Sequence, residues 1–204
     1  MNPAQIDRFF KIVAGELDQK TVAILTGAAA GSILGRVRPS IDIDFALEAV
    51  KKKEEWARLE AAIHKAVQLT GIKANYAEDI DRWGLITLLD YKRHTRGYKK
   101  FSRLEIRILD PEYWSIGKMT RYLDPDIRDM IEVFKRQKVP WESLAKVWGL
   151  ALRKSTRSAA LIQFRKQVED FFRSYGRKIW GKDFDESKAL SSFHKIAKIQ
   201  HSVD

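Results

Sequence analysis

Two short apolar runs, Val22–Leu25 and Ile41–Leu47, frame a stretch of small and basic residues, and the second run carries two aspartates two positions apart. The order Ile41-Asp42-Ile43-Asp44-Phe45 reads as a strand, because residues i and i+2 of a strand point to the same face. Its apolar face belongs in a core, so Asp42 and Asp44 share the opposite face and repel one another. Their side chains start roughly 6–7 Å apart, close enough to share a divalent metal. The first run ends in Gly27-Ala28-Ala29-Ala30-Gly31-Ser32, and small residues let a backbone approach phosphates closely. Arg36, Arg38, Pro39 and Ser40 complete the connection. A lone Asp-x-Asp is a weak signal, since surface strands carry such pairs by accident; the small-residue turn upstream gives this one its weight.

The rest of the chain sorts around that unit. Asn2-Pro3 reads as an N-cap and first-turn proline, followed by a helical stripe of Ile6, Phe9, Phe10, Val13 and Leu17. Lys51 to Leu69 is a predicted helix with Trp56, Leu59, Ile63 and Val67 inward, closed by Gly71. Ile72–Ala77, Leu85–Leu89 and Leu104–Ile108 are β candidates. After Leu109 the texture changes. Asp110-Pro111 and Asp124-Pro125 open helices over 111–122 and 125–137. From Pro140 onward only helical stripes remain: Trp141 to Leu152, Ile162 to Phe172, and Phe193 to Ile199. The expected fold class is therefore α+β (α/β). A mixed β-sheet flanked by helices fills residues 1–110, and an all-helical part fills 111–204, with no repeat and no Gly/Ser linker between them.

Hydrophobic residues make up 45% of the 204 residues, enough for a real core. The absence of cysteine excludes disulfides, thiolate metal sites and a Cys nucleophile, and fits a reducing cytoplasm. The first residues show no secretion-signal pattern, and no apolar run approaches the ~20 residues of a membrane span. Net charge is +11, a balance that favours anionic partners, nucleic acid first among them. The excess is densest in residues 141–204, with 13 Lys and Arg against 7 Asp and Glu. None of the four histidines shows metal spacing.

Residues 22–47 resemble the nucleotidyltransferase superfamily that includes polymerase β and the kanamycin-type nucleotidyltransferases. More closely, Gly27-Ala28-Ala29-Ala30 and Arg38-Pro39-Ser40-Ile41-Asp42-Ile43-Asp44 look like prokaryotic members with a Gly-Gly-x-Ala start and an Arg-x-[Ser/Thr]-x-Asp-Ile-Asp finish. Several of those are toxins or antitoxin-linked enzymes. The likeness runs more loosely through Leu109-Asp110-Pro111-Glu112 and Lys118 to Arg128-Asp129. It implies a nucleotidyltransferase-type sheet and a Mg²⁺-dependent transfer of a nucleotide from NTP to an acceptor, RNA such as a tRNA end given the charge. Asp42 and Asp44 would hold two Mg²⁺ ions with a third carboxylate, for which Glu105 is favoured and Asp90 competes. Gly27, Ala28 and Ser32 would face phosphates, and Arg36, Arg38 and Lys118 would grip them, Arg121 standing one turn from Lys118. Ala28 departs from the signature, which has a second Gly or Ser there; Gly31-Ser32 offers an alternative register.

Lys92 to Arg107 interleaves seven cations with Tyr98 and Phe101, a pattern suited to an RNA acceptor on a hairpin or loop. Arg153, Lys154, Arg157, Arg165, Lys166, Arg173, Arg177 and Lys178 offer a second footprint, or a solvated helix face. The rival reading of the whole chain is an inactive nucleotidyltransferase relative that binds nucleic acid or a cognate toxin or antitoxin protein. A third is transfer to a small molecule or a protein hydroxyl.

Overall fold

The computed structural model describes residues 1–35, 38–39, 41–48 and 53–198. Arg36 and Ser40 lie outside them. The chain forms two compact units: Met1–Ile80 with Lys92–Asp110, and Asp81–Tyr91 with Pro111–Asp204.

The first unit is built on α1 (Pro3–Gly15), β1 (Thr21–Leu25), α2 (Gly27–Gly35), β2 (Asp42–Glu48), α3 (Lys53–Thr70) and β3 (Lys73–Ala77). The chain returns to this unit, after an excursion, as the hairpin strands β6 (Thr95–Phe101) and β7 (Leu104–Leu109). The start of α1 follows its sequence: Asn2 Oδ1 accepts from the Gln5 N–H at 3.0 Å, and Gln5 Oε1 accepts from the Asn2 N–H at 2.8 Å. This is a reciprocal capping box ahead of Pro3. The sheet order is β3-β2-β1-β7-β6. It is mixed: β1 pairs antiparallel with β2 and parallel with β7, while β2 and β3 run parallel.

Alternation along β2 sets the layers. Phe45 meets Phe10 edge-on at 5.3 Å and Phe9 at 6.4 Å, both from α1, and stacks on Tyr76 of β3 at 5.8 Å. Trp56 of α3 lies against Tyr76 at 6.1 Å. The Ile43–Phe45–Leu47 face is therefore core under α1 and α3, where each fully buried large side chain contributes about 1.5–3 kcal/mol. Ile41, expected on that face, precedes the strand and is 84% exposed.

Among its described residues the second unit contains a small hairpin, β4 (Arg82–Trp83) and β5 (Ile86–Thr87), and five α-helices: α4 (Pro111–Arg121), α5 (Asp124–Gln137), α6 (Trp141–Lys154), α7 (Ala159–Trp180) and α8 (Glu186–Ala197). The β candidate at Leu85–Leu89 contributes only the two residues of β5, and Leu85 is 50% exposed. Trp83 has a clear role here. Its ring covers Gly117 of α4, where a Cβ would come within 3.0 Å of it. Trp148 is fully buried against Phe171 and Phe172 at 5.7 and 5.5 Å, and its indole N–H donates to Ser115 Oγ at 2.9 Å. Gly176 lets Phe184 lie on the back of α7, where a Cβ would stand 2.0 Å from the ring. No helix among the described residues is long and apolar enough to cross a membrane.

Candidate active site

Asp42 and Asp44 occupy the face of β2 opposite Phe45, both half-buried. Directly across from Asp44 on β3 stands Asn75. Its amide donates to Asp42 Oδ2 at 3.1 Å and to Asp44 Oδ1 at 2.9 Å. One neutral side chain thus bridges two carboxylates that would otherwise only repel. Sequence reasoning missed Asn75. The signal was present, since Lys73-Ala74-Asn75-Tyr76-Ala77 alternates and its polar positions fall on the acidic face of the neighbouring strand.

The turn between β1 and α2 is locked to the same carboxylate. Gly27 has φ +57°, a conformation that favours glycine. A Cβ there would lie 2.0 Å from Asp44 Oδ2. The Thr26 N–H donates to the Asp44 carbonyl at 2.9 Å, and the Thr26 carbonyl accepts from the Ala30 N–H at 3.0 Å. The glycine turn, the start of α2 and Asp44 therefore form one contact. The partial positive charge of a helix N-terminus sits beside an acidic pair. Ala28 follows Gly27 in the first turn of α2.

Ser32 is buried on α2 and its hydroxyl donates to the Ala29 carbonyl at 2.8 Å. Arg38 is exposed. Glu105 is not brought to the aspartates: it lies opposite Val22, which pairs with Glu48 rather than Asp44. Four residues of strand and two strand spacings put its backbone about 16 Å from that of Asp44. Its carboxylate accepts from Arg107 at 2.9 Å. Asp90 belongs to the excursion and sits at φ +47° in the second unit. Among the described residues, no group of three His, Cys, Asp or Glu is disposed to hold a metal.

Lys118 also belongs to the second unit and is 1% exposed, not set on an open helix face. Its ammonium donates to Asp126 at 3.0 Å and Asp129 at 2.6 Å, while Arg121 forks onto Asp126 at 3.1 and 2.7 Å. Burial pushes the Asp126 carboxyl up, but hydrogen bonds from Arg121 and Lys118 outweigh it and hold the group below its ordinary range. The Lys-x₇-Asp-x₂-Asp spacing across the turn between two helices was the available signal for this network.

The basic stretch of Lys92–Arg107 is an edge hairpin with much of its charge answered. Lys92 pairs with Asp79 at 3.3 Å, Arg96 with Asp110 at 3.4 Å, and Lys99 with Asp7. Lys100 stands opposite Glu105 in the ladder. Tyr98 donates to Asp7 at 3.0 Å, and burial together with that carboxylate pushes its phenol well above the ordinary value.

Comparison of the chain with protein-family models, with characterised proteins and with solved structures finds no match.

Proposed function

We propose that the chain is a Mg²⁺-dependent nucleotidyltransferase of the polymerase-β-like class, moving a nucleotide from NTP to an acceptor. The observation that carries the reading is the contact among Gly27, the start of α2 and the Asp42–Asp44 face. It combines a phosphate cradle and an acidic pair at one point, the two parts that phosphoryl transfer needs. The chemistry of the pair fits the cation, since carboxylates are hard oxygen ligands. Mg²⁺, when bound, would neutralise phosphate charge and acidify an attacking hydroxyl. Asp42 and Asp44 would hold it, and Asn75 would keep both carboxylates turned to one point. The backbone N–H groups after Gly27 would take phosphate oxygens, with Arg38 and Arg36 as candidates for the leaving pyrophosphate. An RNA acceptor rests on the net charge of +11. A toxin–antitoxin or defence setting, with a cognate protein partner, rests on the sequence resemblance alone.

The test is transfer of label from α-labelled NTPs to total RNA with Mg²⁺ present. Activity that disappears in Asp42→Ala/Asp44→Ala supports the reading. Absence of transfer to any acceptor, together with no Mg²⁺-dependent nucleotide binding by calorimetry, overturns it.

One observation favours a second reading, an inactive relative that binds nucleic acid or a protein. Asn75 stands beside the pair and Glu105, the third carboxylate favoured from sequence, is far from it. Nucleotide binding without turnover, unchanged by Mg²⁺, would select that reading.

A further inference from the structure

A second cleft lies wholly within the helical unit, at the corner where α6 turns into α7. It has a volume of about 340 Å³ and is lined by Arg153, Arg157, Arg165 and Lys198 over a wall that includes Leu161 and Ile162. Its charge is one-sided. Among the described residues that line it there is no carboxylate. Arg165 donates to Glu169 at 2.7 Å, but that carboxylate is 9% exposed and also contacts His194 at 2.7 Å. The salt bridges among the described residues include none to Arg153, Arg157 or Lys198. The first turn of the 22-residue α7 supplies Leu161 and Ile162, so the positive end of its dipole adds to the side-chain charge. Ile162 is 61% exposed, a large apolar surface set among guanidinium groups.

These features define a ligand class. Three cations beyond the Arg165–Glu169 pair call for more than one negative charge, which a single carboxylate does not supply. Arginine binds phosphate oxygens in a fork and stacks on flat heterocycles. An apolar wall beside it suits the rest of an organic molecule. The volume is at the small end of ligand pockets, large enough for one nucleotide and too small for a folded partner element. We propose that this cleft binds one nucleoside-monophosphate unit, either a free nucleotide or the phosphorylated end of an RNA strand. The proposal goes beyond nucleotidyl transfer and does not depend on the aspartates: every residue it uses is in the other unit.

The test is calorimetric titration of the full chain in EDTA, so that no divalent ion recruits nucleotide to Asp42 and Asp44. The ligands are AMP, adenosine, and a short RNA with either a 5′-phosphate or a 5′-hydroxyl. AMP should bind and adenosine should not. Arg153→Gln/Arg157→Gln should weaken AMP at least tenfold, the scale of losing charge-assisted hydrogen bonds. Lys135→Gln, on α5 and outside the cleft, should leave it unchanged. Binding of 5′-phosphorylated RNA with the same dependence, without binding of AMP, assigns the site to an RNA end and also supports the proposal. Equal binding of AMP and adenosine, AMP binding unaffected by the double variant, or no binding of AMP or phosphorylated RNA overturns it. Inorganic phosphate competing with AMP on the unaltered chain supplies a readout that needs no variant, and failure to compete counts against phosphate recognition.

Discussion

At the scale of single residues, Gly27 and Asn75 carry the most information about the acidic site. Replacing Gly27 with Ala sets a Cβ where Asp44 Oδ2 already lies and forces a left-handed backbone on an L side chain. That conformation alone costs about 1–2 kcal/mol. Gly27→Ala should lower the melting temperature and, because Asp44 must move, abolish the proposed nucleotide transfer even at saturating Mg²⁺. Thermal unfolding and the label-transfer assay measured on one preparation check both effects. Asn75→Asp is the more discriminating change. It removes the amide that bridges the aspartates and adds a third negative charge directly opposite Asp44 on β3. Without divalent ions the variant should be less stable than the parent. Mg²⁺ should then raise its melting temperature more than it raises the parent's, by the linkage of binding to folding. A melting temperature that Mg²⁺ leaves unmoved in both proteins would argue against a metal role for this face.

At the scale of elements, legibility in the sequence follows periodicity. The α1 cap, the alternation of β2 and the closure of α3 at Gly71 all stand where local chemistry places them. The closing glycine has φ +70° and its N–H donates to the Val67 carbonyl at 2.8 Å. β6 was harder to see, because Thr95–Phe101 is polar on both faces and forms the sheet edge. The two-residue strands of β4 and β5 are too short to carry a period. Lys118 misleads for a different reason. On a helix, a lysine that reaches solvent and one that meets buried carboxylates from the next helix look the same in sequence. The network makes a firm prediction. Lys118→Met takes the ammonium away from buried Asp126 and Asp129 and should cost about 3–5 kcal/mol in urea unfolding. Adding Asp129→Leu should recover part of that loss, since the pair is coupled and its effects are not additive. Gly176→Ala should also destabilise the helical unit markedly, because Phe184 must leave its seat on α7. Loss of near-ultraviolet ellipticity is a direct readout of that displacement.

At the scale of the whole molecule, charge governs behaviour. Asp126 and Glu169 are both held below their ordinary values. For Asp126, burial raises the carboxyl and is outweighed by Arg121 and Lys118; for Glu169, burial is outweighed by Arg165 and His194. A depressed folded-state value stabilises the fold above the unfolded value and loses that contribution as pH falls through the folded one. Stability should therefore be level from neutral pH down to about 5 and decline below about 4, where these carboxylates take up protons. Asp126→Asn should make the decline shallower, measured as melting temperature against pH. RNA affinity, if RNA is the acceptor, should drop steeply between low and moderate salt. Because Lys92, Arg96 and Lys99 are already paired with Asp79, Asp110 and Asp7, neutralising them should flatten that slope less than neutralising Arg153 and Arg157.

The Asp81–Tyr91 excursion has a consequence for how such a chain can be rearranged. The polypeptide leaves its first unit, lays Trp83 over Gly117 in the second, and returns before the sheet is finished. No single break divides the two units. A gene rearranged at the Asp110–Pro111 junction would carry off five helices and leave behind the tryptophan that covers one of them. Transfer of either half to another protein would thus strand an apolar surface on both products. The two units are interleaved in their coding sequence, which favours their inheritance together.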